Sequence, residues 1–356
     1  MNTGVNHTTG AQLRARLPDT PDVYLHKLDL AKNAGLLIEF DQPAFRQSSF
    51  LDNRVLTPAT KGAWLPLSAV MTAASHANNL RPLHYIFHAG HVGSTLISRL
   101  LDEITGVLSL REPLPLRTLA ELYDKVDPPN SWADNLQLTT LARALIQLWS
   151  RGYETTHSIV VKATSTAARV AAPLLTLQPA SRALYLNIGA EPYLATLLAG
   201  PNCGVDLRGH GPGRLQRLQR QLGVQLPPLD SLSIGELAAL GWLVESWTQQ
   251  DLLREFGTRI LTVDFDQFLN NIEAGMRRFI QHLALPQDNA FLAQVAHSPV
   301  LSRYSKAPEH PFSPNNRTLV LAESRQRNKV EIARGMQWLE QMARTYPAVA
   351  KVLEQS

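Results

Sequence analysis

The sequence is poor in cysteine, in aromatic residues and in charge. Cys203 is the one cysteine in 356 residues, which excludes an intrachain disulfide framework and a multi-cysteine metal site. Charged residues make up 18% and aromatic residues 7%, against 44% hydrophobic residues overall. So little charge on so apolar a chain excludes a disordered protein and leaves ample material for a core. The charge is nearly balanced, 34 Lys and Arg against 30 Asp and Glu. The net charge of +4 is too small an excess to indicate a nucleic-acid partner. No uninterrupted apolar run approaches the ~18–20 residues of a membrane helix, so no membrane partner is expected. The opening MNTGVNHTTGAQLRARLPDT has no apolar stretch of the signal-peptide kind, so a cytoplasmic location is expected. There is no internal repeat, no low-complexity tract and no GxSxG elbow, so a triad hydrolase of that class has no support.

What is present is an alternation of strand-like and helix-like segments. The first twenty residues read as a flexible lead-in. Val23-Tyr24-Leu25 and Leu36 to Phe40, around the Lys32-Asn33-Ala34-Gly35 turn, predict two short strands. Residues 65–77 predict a helix. Together they form a β-rich N-terminal module over residues 1–80. Leu83-His84-Tyr85-Ile86-Phe87-His88 is then nearly all apolar, as in a parallel strand covered on both faces. Leu96, Ile97, Leu100, Leu101 and Ile104 follow at helical spacing. Further strands are expected at 107–110, 159–161, 184–186 and 260–263, with helices at 167–177 and 237–256. This alternation predicts an α/β fold with a doubly wound parallel sheet over residues 81–310. A helical C-terminal segment over 311–356 would pack on it, interrupted at Pro347.

Gly90-His91-Val92-Gly93-Ser94-Thr95 lies between the first core strand and its helix. Glycines let a backbone approach an anion, and a helix N-terminus offers unpaired N–H groups and partial positive charge. Either an anion site or a plain helix-entry turn, with Ser94 or Thr95 as the cap, satisfies this pattern. The ATPase loop GxxxxGK[ST] is not matched, because no lysine precedes Ser94.

Phe87 to Leu96, followed by Leu100-Leu101-Asp102 and Leu108-Ser109-Leu110-Arg111-Glu112-Pro113, resembles the opening of bacterial sulfotransferase-like P-loop proteins. Ile159-Val160-Val161-Lys162-Ala163-Thr164 resembles the family's strand ending in a Lys-Thr pair. Ile260 to Phe268 with Leu283-Ala284-Leu285-Pro286 resembles its later strand, acidic loop and helix. The resemblance spans Arg81 to Lys306 and implies a P-loop fold and 3′-phosphoadenosine 5′-phosphosulfate as donor. It further implies transfer of a sulfuryl group to a hydroxyl acceptor, a small molecule or peptide. Backbone groups of Gly90, His91, Val92, Gly93, Ser94 and Thr95 would hold the phosphosulfate, and Arg303 and Lys306 lie where the family places a late nucleotide-contacting loop. The chain departs from the pattern at several positions. His91 stands where the loop usually has Lys or Arg, Gly90 replaces a proline, and Gly189-Ala190-Glu191-Pro192 replaces an Arg-Asp-Pro triplet. The family's arginine and serine for the 3′-phosphate are Ala190 and Leu198 here.

Sulfuryl transfer needs a base, compensating cations and an in-line acceptor. Glu112, at the carboxyl end of its strand, is the candidate base; its alternatives are a pair with Arg111 or a helix cap. Lys162 would offset charge on the transferring group, or else snorkel to solvent. His91 would hydrogen-bond a leaving phosphate or simply fill the loop. No metal ligand set is expected, because His84, His88 and His91 have no Cys or carboxylate at ligand spacing. Arg214, Arg217 and Arg220, three apart, read as the solvated face of a short helix, and Trp242 and Trp247 as core residues. Two other functions stay open: a non-catalytic nucleotide- or protein-binding module on the same fold, and an atypical P-loop kinase.

Overall fold

The computed structural model describes residues 9–126, 129–306 and 314–355. Its first sheet is antiparallel, with β1 (Val23–Asp29), β2 (Ala34–Glu39) and β3 (Gly62–Pro66) in that order. Asn33 makes the β1–β2 turn at φ 48°, a left-handed conformation that asparagine tolerates. The second sheet holds β4 (Leu83–His88), β5 (Val107–Arg111), β6 (Ser158–Lys162), β7 (Ala183–Asn187) and β8 (Ile260–Asp264), in the order β5-β6-β4-β7-β8. Pairing is parallel between β4 and β6 and between β5 and β6. All residues of β4, β5, β6 and β7 are buried, which is why their sequences are near-continuous apolar runs rather than alternating ones. The expected α/β sheet with a small N-terminal sheet is thus observed. With β6 on one side of β4 and β7 on the other, β4 ends at a topological switch point, where open α/β sheets build their sites.

By contact density the chain divides into one unit of residues 1–87, 94–184 and 271–310, and another of residues 88–93, 185–270 and 311–356. The first contains α1 (Ser94–Asp102), which follows β4, and helices at Leu114–Tyr123 and Leu136–Trp149. The lead-in is not flexible from Thr9 onward. Gly10–Arg16 is a helix with Leu13 buried, and Leu17 after it is buried as well. The buried Arg151 guanidinium donates to the carbonyls of Leu17, Thr20 (2.6 Å), Val23 (3.0 Å) and Leu148 (2.9 Å). Sequence patterning could not show this, because the anchor lies more than 120 positions away. The N-terminal region also carries helices at Gln42–Gln47 and Leu67–Ser75, so it is less purely β than expected. The segment 167–177 begins as a 3₁₀ turn over Ser165–Val170 and is α-helical over Ala171–Leu177.

The second unit contains α2 (Ala190–Leu198), α3 (Cys203–Leu222), α4 (Ile234–Phe256), α5 (Pro314–Arg327), α6 (Lys329–Thr345) and α7 (Pro347–Glu354). A capping box between Ser233 and Glu236 starts α4, and Pro347 opens α7. Helices α4 and α6 approach closely: a Cβ on Gly235 would lie 1.8 Å from the Glu331 carbonyl oxygen. The arginine-bearing helix α3 is not short but 20 residues long. Its buried positions, Leu207, Gly211, Arg214 and Leu218, recur at helical spacing and form the stripe that packs on α4. Arg214 is therefore part of that stripe rather than of a solvated face. Trp242 is buried and donates to the Ile188 carbonyl at 2.8 Å, whereas Trp247 is half-buried. Among the described residues no helix is long and apolar enough to cross a membrane.

Arg151→Met would leave several buried carbonyls without a donor. It is expected to destabilise the protein by about 3 kcal/mol or more, measured by urea unfolding. An unchanged midpoint would show that the N-terminal helix is held by packing alone.

Candidate functional site

Strands β5 and β6 end side by side, with Arg111 in register with Lys162. The Glu112 N–H donates to the Lys162 carbonyl at 2.7 Å, and the Lys162 ammonium forms a short ion pair with Glu112 Oε1. Neither sequence alternative for Glu112 is observed. Arg111 turns the other way, donating to the carbonyls of Ser48 (2.7 Å), Phe45 (2.7 Å) and Arg46 (2.8 Å) and pairing with Asp102 at 3.3 Å. Lys162 does not snorkel: its side chain is 1% exposed, against 16% for Glu112. Glu112 is thus the more exposed member of the pair, and the ammonium lies deeper. Burial pushes the Lys162 pKa down, against the upward pull of Glu112. A lysine so enclosed tolerates its charge only with a counter-ion in place.

Glu112 takes φ 56° although it precedes Pro113. That left-handed conformation is uncommon for any side chain, and a following proline restricts it further. Such strain persists only where the surroundings over-determine it, and it concentrates at functional positions. Here the Glu112 backbone bond to Lys162 and the side-chain pair to the same residue fix it.

Nothing in the sequence marks residues 45–54 as the wall of this pair. Leu51 N–H donates to the Arg111 carbonyl at 2.7 Å, bringing Phe50 within 5.9 Å of the Lys162 ammonium, measured to the ring centroid. The Arg54 guanidinium lies over the same ring at 3.8 Å and forks onto Asp52. A phenylalanine and an arginine four apart near a turn are too common a pattern to mark a site. The loop carrying Arg303 and Lys306 comes to this segment as well. The Ser305 carbonyl accepts from Arg99 on α1 at 2.9 Å, and Arg99 also donates to Ser49 at 2.6 Å. Arg303 itself is exposed and Lys306 half-buried.

The Gly90–Thr95 loop continues from the carboxyl end of β4. Gly90, His91 and Gly93 all have positive φ, 105°, 56° and 73°, so the chain coils tightly before α1 begins. Val92 is fully buried and His91 exposed. Tyr193 donates to the Ala89 carbonyl at 3.1 Å, anchoring the loop's start. Gly93 has no room for a side chain, since a Cβ would lie 1.9 Å from the Phe265 ring. The Arg317 guanidinium sits 5.2 Å from that ring and pairs with Asp266 at 3.0 Å. Ser94 and Thr95 are buried, and among the described residues the Thr95 hydroxyl meets no hydrogen-bond partner. A buried hydroxyl normally has one. An oxyanion in the loop would satisfy it, together with the first N–H groups of α1.

At the segment that departs from the resembled pattern, Ala190 is the first residue of α2, and Glu191 beside it is gripped by both Arg325 nitrogens at 2.8 and 2.9 Å. Burial and the neighbouring Arg182 and His282 pull the His84 pKa down to about 4, burial being the larger cause. Among the described residues no three His, Cys, Asp or Glu side chains gather as a metal site.

No family model matches the sequence, and no curated protein matches it. Several solved structures are similar in fold. A sulfotransferase domain from the curacin biosynthetic pathway is 12% identical, with 75% of this chain and 99% of that one covered at a TM-score of 0.41. Sulfotransferase STF9 from Mycobacterium avium is 14% identical, covering 90% and 97% at 0.39. Mouse sulfotransferase SULT7A1, complexed with PAP, is 9% identical, covering 81% and 93% at 0.41.

Gly93→Ala is expected to cost at least about 1–2 kcal/mol from the left-handed backbone alone, plus displacement of Phe265. In a double-mutant cycle with Phe265→Ala, measured by thermal unfolding, part of that loss is recovered. Strict additivity would show that the ring does not limit the loop.

Proposed function

We propose that the chain is a sulfotransferase-like enzyme that moves a sulfuryl group from 3′-phosphoadenosine 5′-phosphosulfate to a hydroxyl. The observation that carries this is the Lys162–Glu112 pair. It is an enclosed ammonium behind a reachable carboxylate in a strained backbone, at the same sheet edge from which β4 runs into the glycine loop. The unpartnered Thr95 hydroxyl and the loop's backbone N–H groups suit a phosphosulfate in chemistry.

Glu112 takes the proton of the acceptor hydroxyl. The acceptor oxygen bonds to sulfur as the bond from sulfur to the donor's phosphate oxygen breaks, and that oxygen leaves with the electron pair. Once Glu112 is protonated, the Lys162 charge is no longer cancelled and acts on the negative charge developing in the transferring group. In this reading His91, exposed at the loop's tip, hydrogen-bonds the leaving phosphate. The acceptor is a small molecule or peptide hydroxyl. Phosphoryl transfer is disfavoured because the loop holds no lysine before Ser94.

One observation favours the second function, a binding module without chemistry: Glu112 and Lys162 satisfy each other. The two readings part on substitution. Under the enzyme reading, Glu112→Gln and Lys162→Met each lower turnover of labelled donor by roughly 100-fold or more, with bisphosphate binding kept within a few fold. Turnover unchanged in both folded variants would leave the binding module as the function.

A further inference from the structure

Arg54 is held more firmly than an exposed arginine needs to be. Its side chain is 62% exposed, yet Nε and Nη2 fork onto Asp52 at 2.8 and 2.6 Å. The guanidinium also lies 3.8 Å over the Phe50 ring, and Asp52 accepts the Arg54 backbone N–H at 3.0 Å. Fork, ring and turn together fix the orientation of the group. A surface pair contributes little stability and costs side-chain entropy to hold, so folding alone gives little reason for this order. The third guanidinium nitrogen, Nη1, donates to no acceptor among the described residues.

A second arginine stands nearby. Arg117, on the helix at Leu114–Tyr123 that follows Glu112, is exposed and donates to no acceptor among the described residues. Burial raises the Asp52 pKa, but the hydrogen bonds and charge of Arg54, with the charge of Arg117, hold it below the usual carboxylate range. The Arg54 pKa is raised, chiefly by its bond to Asp52 and further by the charge of Glu112. Arg54 is thus within electrostatic reach of Glu112, and Arg117 of Asp52. Lys162 is paired with Glu112 and Arg54 with Asp52. The charge left over is that of Arg117, close to a guanidinium with one nitrogen unused.

We propose that the acceptor is a hydroxy acid, its hydroxyl at Glu112 and its carboxylate held between Arg54 Nη1 and Arg117. This rests on the sulfuryl-transfer function proposed above and narrows its acceptor. A single left-over positive charge matches a monoanion, and a carboxylate has one oxygen for each guanidinium. Phe50, only 9% exposed beneath Arg54, keeps that guanidinium from turning inward. Arg54 and Arg117 then set specificity, favouring the acid over the same hydroxyl compound without its charge.

Ligand-observed NMR titration of the full chain tests this with two pairs of probes. These are para-hydroxybenzoate with para-hydroxybenzamide, and N-acetyltyrosine with its amide. At least one acid is expected to bind roughly 10-fold more tightly than its amide. The double variant Arg54→Met, Arg117→Met is expected to remove that preference while binding the amide as before. The proposal is overturned if neither acid binds more tightly than its amide, or if the preference persists in the folded double variant. It is equally overturned if neither acid binds saturably below about 10 mM. Adenosine 3′,5′-bisphosphate is titrated separately. Uptake of the acid without the nucleotide would contradict the sulfuryl-transfer reading and leave the arginine site standing; uptake of the nucleotide without the acid would do the reverse.

Discussion

An ammonium that is 1% exposed needs a counter-ion, and the carboxyl edge of the sheet is arranged around supplying one to Lys162. Glu112 reaches it only by taking a left-handed backbone before a proline. Arg111, next in the chain, is free to point away because Asp102 and three carbonyls of residues 45–48 receive it. Those bonds bring Phe50 over Lys162. One enclosed charge thus links the strand ends, the bent residue after β5 and the N-terminal segment. The same enclosure leaves the carboxylate as the more exposed member of the pair.

The glycine loop works on a complementary constraint, shortage of space. Gly93 is held between its positive φ and the Phe265 ring, and the loop brings no lysine. The donors it offers are backbone N–H groups and the Thr95 hydroxyl. With a net charge of only +4, the chain as a whole attracts anions weakly. At the sheet edge the enclosed cation is Lys162, behind Glu112.

Much of the fold was legible because buried parallel strands write themselves as apolar runs. β4 at Leu83–His88, and β5, β6, β7 and β8 within a residue or two, stand where the pattern placed them. The helix after the glycine loop begins at Ser94, where glycine gives way to two hydroxyl residues. What escaped was held by distant partners. The helix at Gly10–Arg16 is tied by Arg151, and a glycine- and proline-containing stretch became the 20-residue α3 because α4 covers one of its faces. Arg214 was misread for the same reason, since spacing alone cannot tell a solvated stripe from a packed one. Glu112 and Lys162 were singled out from their places at strand ends, and the structure pairs them. Phe50, Arg54 and Phe265 were not, because nothing local distinguishes an aromatic that covers a site from one that fills a core.

The most direct test of the account is a calorimetric titration of the folded, unsubstituted protein with 3′-phosphoadenosine 5′-phosphate. Saturable binding that Gly93→Ala weakens by an order of magnitude is the predicted result. A protein that unfolds cooperatively yet takes up no nucleotide would contradict it.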